Sequence, residues 1–257
     1  MTILRSGGLG EYPLEGKVAV ISGASNGIGA ATAKRLAAAG VKVAVGYNNG
    51  RERAEQVLAA LAGSGHRIVH IPMQDSAAIA AAAAEVRSTM GRCDILVNSA
   101  GVTRAVPHAD LDALDDETFD RIFTTNVRGP FATIRAFAPL LRESGDAVII
   151  NVSSISGSTG SGSSIAYAAS KAALDTMGMS LGCALGPGIR VIGVAPAAVD
   201  TGFVPGRGRA AIEKQSMETP LKIVVDPDDV AVSIIGAITH LRIATGTTLM
   251  VDGGRHL

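Results

Sequence analysis

Cysteine is scarce in this chain: there are two, Cys93 and Cys183. The first opens a strand-like run and the second lies in a helical stretch, so neither a disulfide framework nor a zinc site is supported, and no metal is expected. No sign of charge is in excess, because 23 Lys and Arg balance 23 Asp and Glu. Neutralising phosphates needs a basic excess or stripe, so a nucleic-acid partner is not expected. No apolar run reaches the ~18–20 residues that a membrane span requires. The longest candidate, Ala77 to Ala84, is an alanine-rich helix. Met1 to Glu11 is glycine-rich without a continuous apolar core and does not read as a secretory signal. These absences lead to the expectation of a soluble, cytoplasmic protein. What is present is a sizeable core: 257 residues, 47% hydrophobic and 18% charged, a balance unlike that of disordered chains.

Short aliphatic runs alternate with stretches of helical period. The runs are Val18–Ile21, Val41–Val45, Arg67–Ile71, Ile95–Val97, Val148–Val152, Val191–Val194 and Leu249–Val251. Helical stretches include Ile28–Ala39, Arg51–Ala62, Ser76–Met90 and Val230–Leu241. Val/Ile runs without polar alternation mark parallel strands covered on both faces. The expectation is a single-domain α/β Rossmann fold: a doubly wound, seven-stranded parallel sheet with helices on both faces. Residues 1–13 are expected to form a flexible lead-in, and 14–257 one dinucleotide-binding and catalytic domain. The segment 201–225 stands apart, with Gly202, Pro205, Gly206, Gly208 and Pro220 around Arg207 and Arg209. It follows a strand's carboxyl end, where such sheets bind ligands, and reads as a mobile lid.

After the first strand comes Ser22-Gly23-Ala24-Ser25-Asn26-Gly27-Ile28-Gly29, then a helix. Glycines here expose backbone N–H groups at a helix N-terminus and leave room for a pyrophosphate. The spacing, Gly-x-x-x-Gly-x-Gly, is not the commoner dinucleotide Gly-x-Gly-x-x-Gly. The second strand ends Gly46-Tyr47-Asn48-Asn49-Gly50-Arg51, with no acid of the kind that meets a free ribose 2′-hydroxyl. A 2′-phosphate would meet no repulsion, and Asn48, Asn49 and Arg51 could donate to it. NADP(H) is therefore favoured, with NAD(H) possible.

Tyr167 and Lys171 stand four apart in a helical stretch crowded with small residues, which puts phenol and ammonium on one face. A nearby cation favours the phenolate. Ser154, just past the fifth strand, can hydrogen-bond a substrate oxygen at the sheet's carboxyl edge.

Taken together, five separated motifs resemble the short-chain dehydrogenase/reductase family in its classical form, over essentially residues 14 to 254. They are the Ser22–Gly29 turn, Asn98-Ser99-Ala100-Gly101, Asn126 in Thr125-Asn126-Val127, Ser154 thirteen before Tyr167, and Tyr167-x-x-x-Lys171. The ending Thr245-Gly246…Val251-Asp252-Gly253-Gly254 also matches. The resemblance implies hydride transfer between NAD(P)(H) and a carbonyl or alcohol. Tyr167 would be general acid or base, its pKa lowered by Lys171 and the nicotinamide's charge. Lys171 would also bind the nicotinamide ribose. Ser154 would polarise the carbonyl, and Asn126 would hold a water in a proton relay. Asn98, Ala100 and Gly101 would pass along the adenosine, and Pro196 to Thr201, Val199 included, along the nicotinamide. Assembly would be a homotetramer through paired helices at roughly Thr118–Leu141 and Ser164–Leu185.

Some positions depart from the family pattern. Ser22 replaces Thr, Ser99 replaces the second Asn, and Pro196-Ala197 replaces Pro-Gly. The acid that meets adenine after the third strand aligns with Pro72, which leaves backbone near Met73 for that role, and Asp75 reads as a helix N-cap. In wording the chain is nearest to 3-oxoacyl-(acyl-carrier-protein) reductases, yet Gly145 and Pro187 stand where those enzymes carry bases. Only Arg207 and Arg209 could meet an acidic carrier. A free small carbonyl, alcohol or sugar substrate is thus the first expectation, a carrier-bound substrate the second, and a non-catalytic dinucleotide sensor the third.

Overall fold

The computed structural model describes residues 10–257. Seven parallel strands form one sheet in the order β3-β2-β1-β4-β5-β6-β7. They are β1 (Val18–Ser22), β2 (Lys42–Tyr47), β3 (Arg67–His70), β4 (Ile95–Asn98), β5 (Ala147–Val152), β6 (Ile189–Pro196) and β7 (Thr247–Val251). The helices are α1 (Gly27–Ala38), α2 (Arg51–Ala59), α3 (Ser76–Met90), α4 (Asp116–Phe123), α5 (Gly129–Ser144), α6 (Ser156–Thr159), α7 (Ile165–Leu185), α8 (Arg209–Ser216) and α9 (Pro227–Thr239). A π-helical stretch, Thr124–Arg128, joins α4 to α5. The doubly wound α/β fold expected from the aliphatic runs is the one that forms.

The lack of polar alternation has a direct cause, since both sheet faces are dry. Ala19 and Ile21 of β1 pack with α1, α2 and α9, while Val20 between them packs with α3 and α5 on the other side. β4 and β5 divide in the same way, with Ile95 and Val97 facing one cluster and Leu96 the other. Each face buries aliphatic side chains at roughly 25 cal/mol per Å² of apolar surface, the main favourable contribution to folding.

Two polar groups in this dry sheet were not legible as core. Arg190 lengthens β6 beyond its aliphatic run because its guanidinium is met by the C-terminal end of α9. It donates to Ile238 O and Leu241 O, both at 2.9 Å. Asp94, fully buried before β4, accepts from Val18 N at 2.9 Å, Arg92 Nε at 2.8 Å and Ser144 Oγ at 2.7 Å.

The flexible lead-in expected for 1–13 lies outside the described residues for 1–9. It is corrected for Tyr12, which is 2% exposed. Tyr12 N donates to Thr239 O, its hydroxyl donates to Asp146 O at 2.9 Å, and Lys17, Arg190 and Arg242 stand over its ring. An aromatic side chain with a cationic surround and a paired hydroxyl gains more from burial than its segment loses in freedom.

The segment 201–225, expected as a lid, has structure of its own. It contains α8, whose Ile212 is buried, and its ends meet in a bridge between Val199 and Val225. An i,i+4 ion pair between Arg209 Nε and Glu213 Oε1 at 2.9 Å supports that short helix.

Burial pushes the Asp94 carboxyl up, but its hydrogen bonds from Arg92, Ser144 and Val18 outweigh burial and hold it below the usual range. Its stabilisation is therefore complete above the unfolded carboxylate pKa near ~3.9 and is lost as pH falls through the lower folded value. Asp94→Ala orphans the Val18 N–H and should cost about 2–4 kcal/mol at pH 7 in urea unfolding, the difference from wild type shrinking below about pH 4. An equal loss at pH 3 and pH 7 would contradict a charge-based role.

Candidate active site

The first strand and α1 meet in a turn whose glycines are used by the chain itself. Gly23 has φ +67°, and a Cβ there would lie 2.7 Å from Ala100 Cα. A Cβ on Gly29 would lie 2.5 Å from Gly23 O. Gly23 therefore lets the turn close on the loop after β4, and Gly29 lets α1 fold back on the turn, uses beyond the room for phosphate read from the sequence. The hydroxyl of Ser22 accepts from Ala100 N at 3.3 Å, fastening the same junction.

Asn26 caps α1 with extended backbone but no side-chain cap bond, and the first turn carries no acid. The first N–H groups of α1 are left open at a positive helix end. By contrast, Asp75, Asp115, Ser164 and Asp226 each close their own helix. Asn26, Gly27 and Ile28 line a cavity of about 630 Å³ that runs along the carboxyl edge of the sheet. Its other end holds Ser154, Tyr167 and Lys171. A pyrophosphate fits the open end of α1, and the cavity volume is that of an ordinary small-molecule site.

Ser164 Oγ accepts from Tyr167 N at 3.2 Å, placing the phenol in the first turn of α7. Lys171, one turn on, is buried and donates from Nζ to Val152 O at 2.7 Å, with Nζ 5.7 Å from the Tyr167 ring centre. Ser154 Oγ donates to Ser156 Oγ at 3.1 Å and accepts from Ser156 N at 3.2 Å.

Burial pushes the Tyr167 phenol up to about 12, opposed by Ser154 and by the charge of Arg207. Burial likewise pushes Lys171 down to about 8, opposed by Asp175. The lowering of the phenol expected from Lys171 is thus not found in the protein alone. The ammonium is itself desolvated and turned to a carbonyl, and burial wins.

Asn126 sits in the π-helical stretch with both ends of its side-chain amide hydrogen-bonded. Its Oδ1 accepts from Val102 N at 2.9 Å, and its Nδ2 donates to Val102 O at 3.0 Å and Ser170 Oγ at 3.1 Å. Ser170 Oγ in turn donates to Tyr167 O at 2.7 Å. Asn126 therefore ties the β4 loop to the helix that carries the tyrosine.

Of the other expected cofactor positions, Gly23, Gly101, Pro196, Val199 and Thr201 line the cavity. Ser25, Gly29 and Ala100 do not line it. Asn98 is buried between strands and donates from Nδ2 to Asn151 Oδ1 at 2.9 Å. Met73 is buried against Gly129 in the lower core, and Asp75 accepts from Ala77 N and Ala78 N as an N-cap. Tyr47, Asn48, Asn49 and Arg51 lie at the end of β2, outside the cavity wall. Arg51 is paired with Glu55 at 3.0 Å and reaches the Tyr47 hydroxyl at 3.4 Å.

Phe203, on the excursion after β6, was not read as a site residue, and Arg207 beside it was read only as a possible contact for an acidic carrier. The Phe203 ring lies 5.8 Å from that of Tyr167, and both side chains border the cavity. Nothing in the excursion's sequence encodes which of its side chains turn inward.

A family model described as short chain dehydrogenase matches residues 17–210. The chain belongs to this family. Such enzymes interconvert ketones and secondary alcohols with NAD(P). The chain is 38% identical, over 95% of its length and 97% of the relative's, to a protein named as ketoacyl reductase 2 of the granaticin polyketide synthase in Streptomyces violaceoruber. A short chain dehydrogenase from Burkholderia cenocepacia, solved with NADP, is 35% identical with a TM-score of 0.86, covering 96% of this chain and all (100%) of that one. A 3-ketoacyl-(acyl-carrier-protein) reductase from Brucella melitensis, solved with NADH, is 32% identical with a TM-score of 0.87, covering 95% and 100%. Among the described residues no helix is long and apolar enough to cross a membrane, and no cluster of metal-ligating side chains occurs.

With three tyrosines and no tryptophan, phenolate formation can be followed cleanly at 295 nm. The wild-type signal minus that of Tyr167→Phe should titrate near pH 12 in the cofactor-free protein. A midpoint at or below ~10, the reference value, would mean that Lys171 outweighs burial.

Proposed function

We propose that this short chain dehydrogenase family member reduces a free small carbonyl compound with NADPH as the preferred donor, Tyr167 being the general acid. The observation that carries the reading is one cavity with an uncapped α1 at one end and Ser154, Tyr167 and Lys171 at the other.

The cofactor, when bound, supplies or accepts the hydride. Its pyrophosphate would rest on Gly23, Asn26, Gly27 and Ile28, and its nicotinamide half beside Pro196, Val199 and Thr201. Lys171, fixed on Val152 O, would hold the ribose and keep a positive charge beside the phenol. Ser154 Oγ would donate to the substrate carbonyl oxygen. Tyr167 would pass its proton to that oxygen as negative charge develops there. A phenol raised by burial is fully protonated at neutral pH, which suits the acid role of reduction. In the reverse direction, the α7 N-terminus and Arg207 would favour the phenolate needed as base. Asn126 acts as a positioning residue through Val102 and Ser170.

The NADPH preference is supported by the end of β2, which has no acid and presents exposed Asn48 and Asn49. The guanidinium of Arg53 also folds back over Gly50, adding a cation that the sequence reading passed over. A carrier-bound substrate is less well supported. Arg209 is held by Asp200 and Glu213, and Arg207 turns toward the cavity, so neither stands free for an acidic surface. Self-association as a homotetramer is supported by exposed apolar side chains on the two expected helical faces, Phe119 and Phe131 on α4 and α5 and Met179 on α7.

Tyr167→Phe should lower kcat by at least about 100-fold while NADPH affinity stays within a few-fold, because the hydroxyl supplies the proton and only one contact. Retention of most turnover would refute the assigned acid. A carboxylate cannot be tested at Gly46, where a Cβ would lie 2.5 Å from Ile21 O. Asn48→Asp is the usable change. It should lower the NADPH-to-NADH ratio of kcat/KM by about tenfold through charge repulsion, whereas an unchanged ratio would place 2′-phosphate recognition elsewhere.

A further inference from the structure

Four charged side chains border the cavity: Lys171, Asp200, Arg207 and Arg255. Three have their hydrogen bonds assigned within the fold. Lys171 donates to Val152 O, Asp200 is paired with Arg209, and Arg255 donates to Glu218 Oε2 at 2.9 Å and to Gln215 O at 3.2 Å. Arg207 is different. It is half-buried, makes no side-chain hydrogen bond or ion pair among the described residues, and its Nε is buried without any partner.

A guanidinium half withdrawn from water with its Nε unpartnered gains from an anion that pairs with it. The chain places it there with some care. Arg207 N donates to Val204 O at 3.2 Å, closing a turn that also carries Phe203, whose ring stands 5.8 Å from Tyr167. The same turn thus brings an apolar wall and an unpaired cation to the catalytic end of the cavity. Arg207 is near enough to Tyr167 for its charge to act on the phenol. The planar fork of a guanidinium matches a carboxylate, two parallel N–H donors to two oxygens.

We infer that Arg207 binds a carboxylate on the substrate, so that the carbonyl compound taken by this enzyme is an oxo acid and its product the corresponding hydroxy acid. This rests on the reductase reading of the neighbouring Tyr167 site. The carboxylate is a handle and is unchanged in the reaction. The hydride goes to the ketone carbon and the phenol proton to its oxygen.

The cofactor's phosphates are a second source of negative charge, and the experiment separates the two. Wild type and Arg207→Gln, each with saturating NADPH, are assayed on 4-oxocyclohexanecarboxylate against its methyl ester and on 4-oxopentanoate against its methyl ester. The acid-to-ester ratio of kcat/KM should exceed one in wild type and fall by about 10- to 100-fold in the variant, the range of a charge-assisted hydrogen bond. Arg207→Lys should fall in between, keeping the charge without the fork. Equal losses on acid and ester would make Arg207 a residue of lid architecture and overturn the inference. Weakened NADPH binding with an unchanged ratio would assign the guanidinium to the cofactor's phosphates and overturn it as well.

Calorimetric titration of the NADPH-loaded protein with cyclohexanecarboxylate against cyclohexanecarboxamide reads the same preference without turnover. Tighter binding of the acid, lost in Arg207→Gln, in a protein that reduces no carbonyl would keep the anion site and refute the reductase reading. An active reductase with no preference for acids would do the reverse.

Discussion

The close approach of two backbones at Gly23 and Ala100 is the constraint from which the site follows. The carboxyl ends of β1 and β4 diverge to opposite helices, and the crevice between them is where such sheets take ligands. Here the crevice can form only because Gly23 has no Cβ to strike Ala100 and has a left-handed backbone. Ser22 then fastens Ala100, the β4 loop runs on to Val102, and Asn126 clamps Val102 to α7. One glycine contact is thus connected, through four hydrogen-bonded steps, to the placement of the Tyr167 phenol.

The sheet was legible because its aliphatic runs report double-sided burial, and the five motifs carried the family. What escaped the sequence shares a physical reason. Arg190, Asp94 and Tyr12 are polar or amphipathic groups whose burial is made tolerable by partners 48 to 134 positions away, with Arg92 beside Asp94 as a local exception. No local pattern announces such a partner. The strand ends erred in the same way, because β6 extends through Arg190 only when α9 supplies acceptors. The N-cap of Asp75, by contrast, was readable, since its partners lie two and three residues on.

Within the site, residues that act through type and spacing were readable and those that act through environment were not. Tyr167 and Lys171 come together because four residues make a helical turn. Their proton affinities follow from burial, which outweighs the lowering expected of the lysine on the phenol. The buried side chains of Asn98 and Met73 pack between strands and against α5, which leaves their backbone for the cofactor path read from the sequence. Phe203 and Arg207 reach the tyrosine because of a turn whose direction depends on tertiary packing.

The bridge between Val199 and Val225 has a consequence for how such an enzyme changes over time. Since the two ends of the excursion are held side by side, its interior forms a closed loop anchored to a finished sheet. Lengthening a closed loop adds only about 0.6 kcal/mol for each doubling. The roof of the cavity can therefore be rebuilt, lengthened or exchanged as a cassette with little penalty to the scaffold. Ser154, Tyr167, Lys171 and the uncapped start of α1 lie outside that loop and stay with the scaffold.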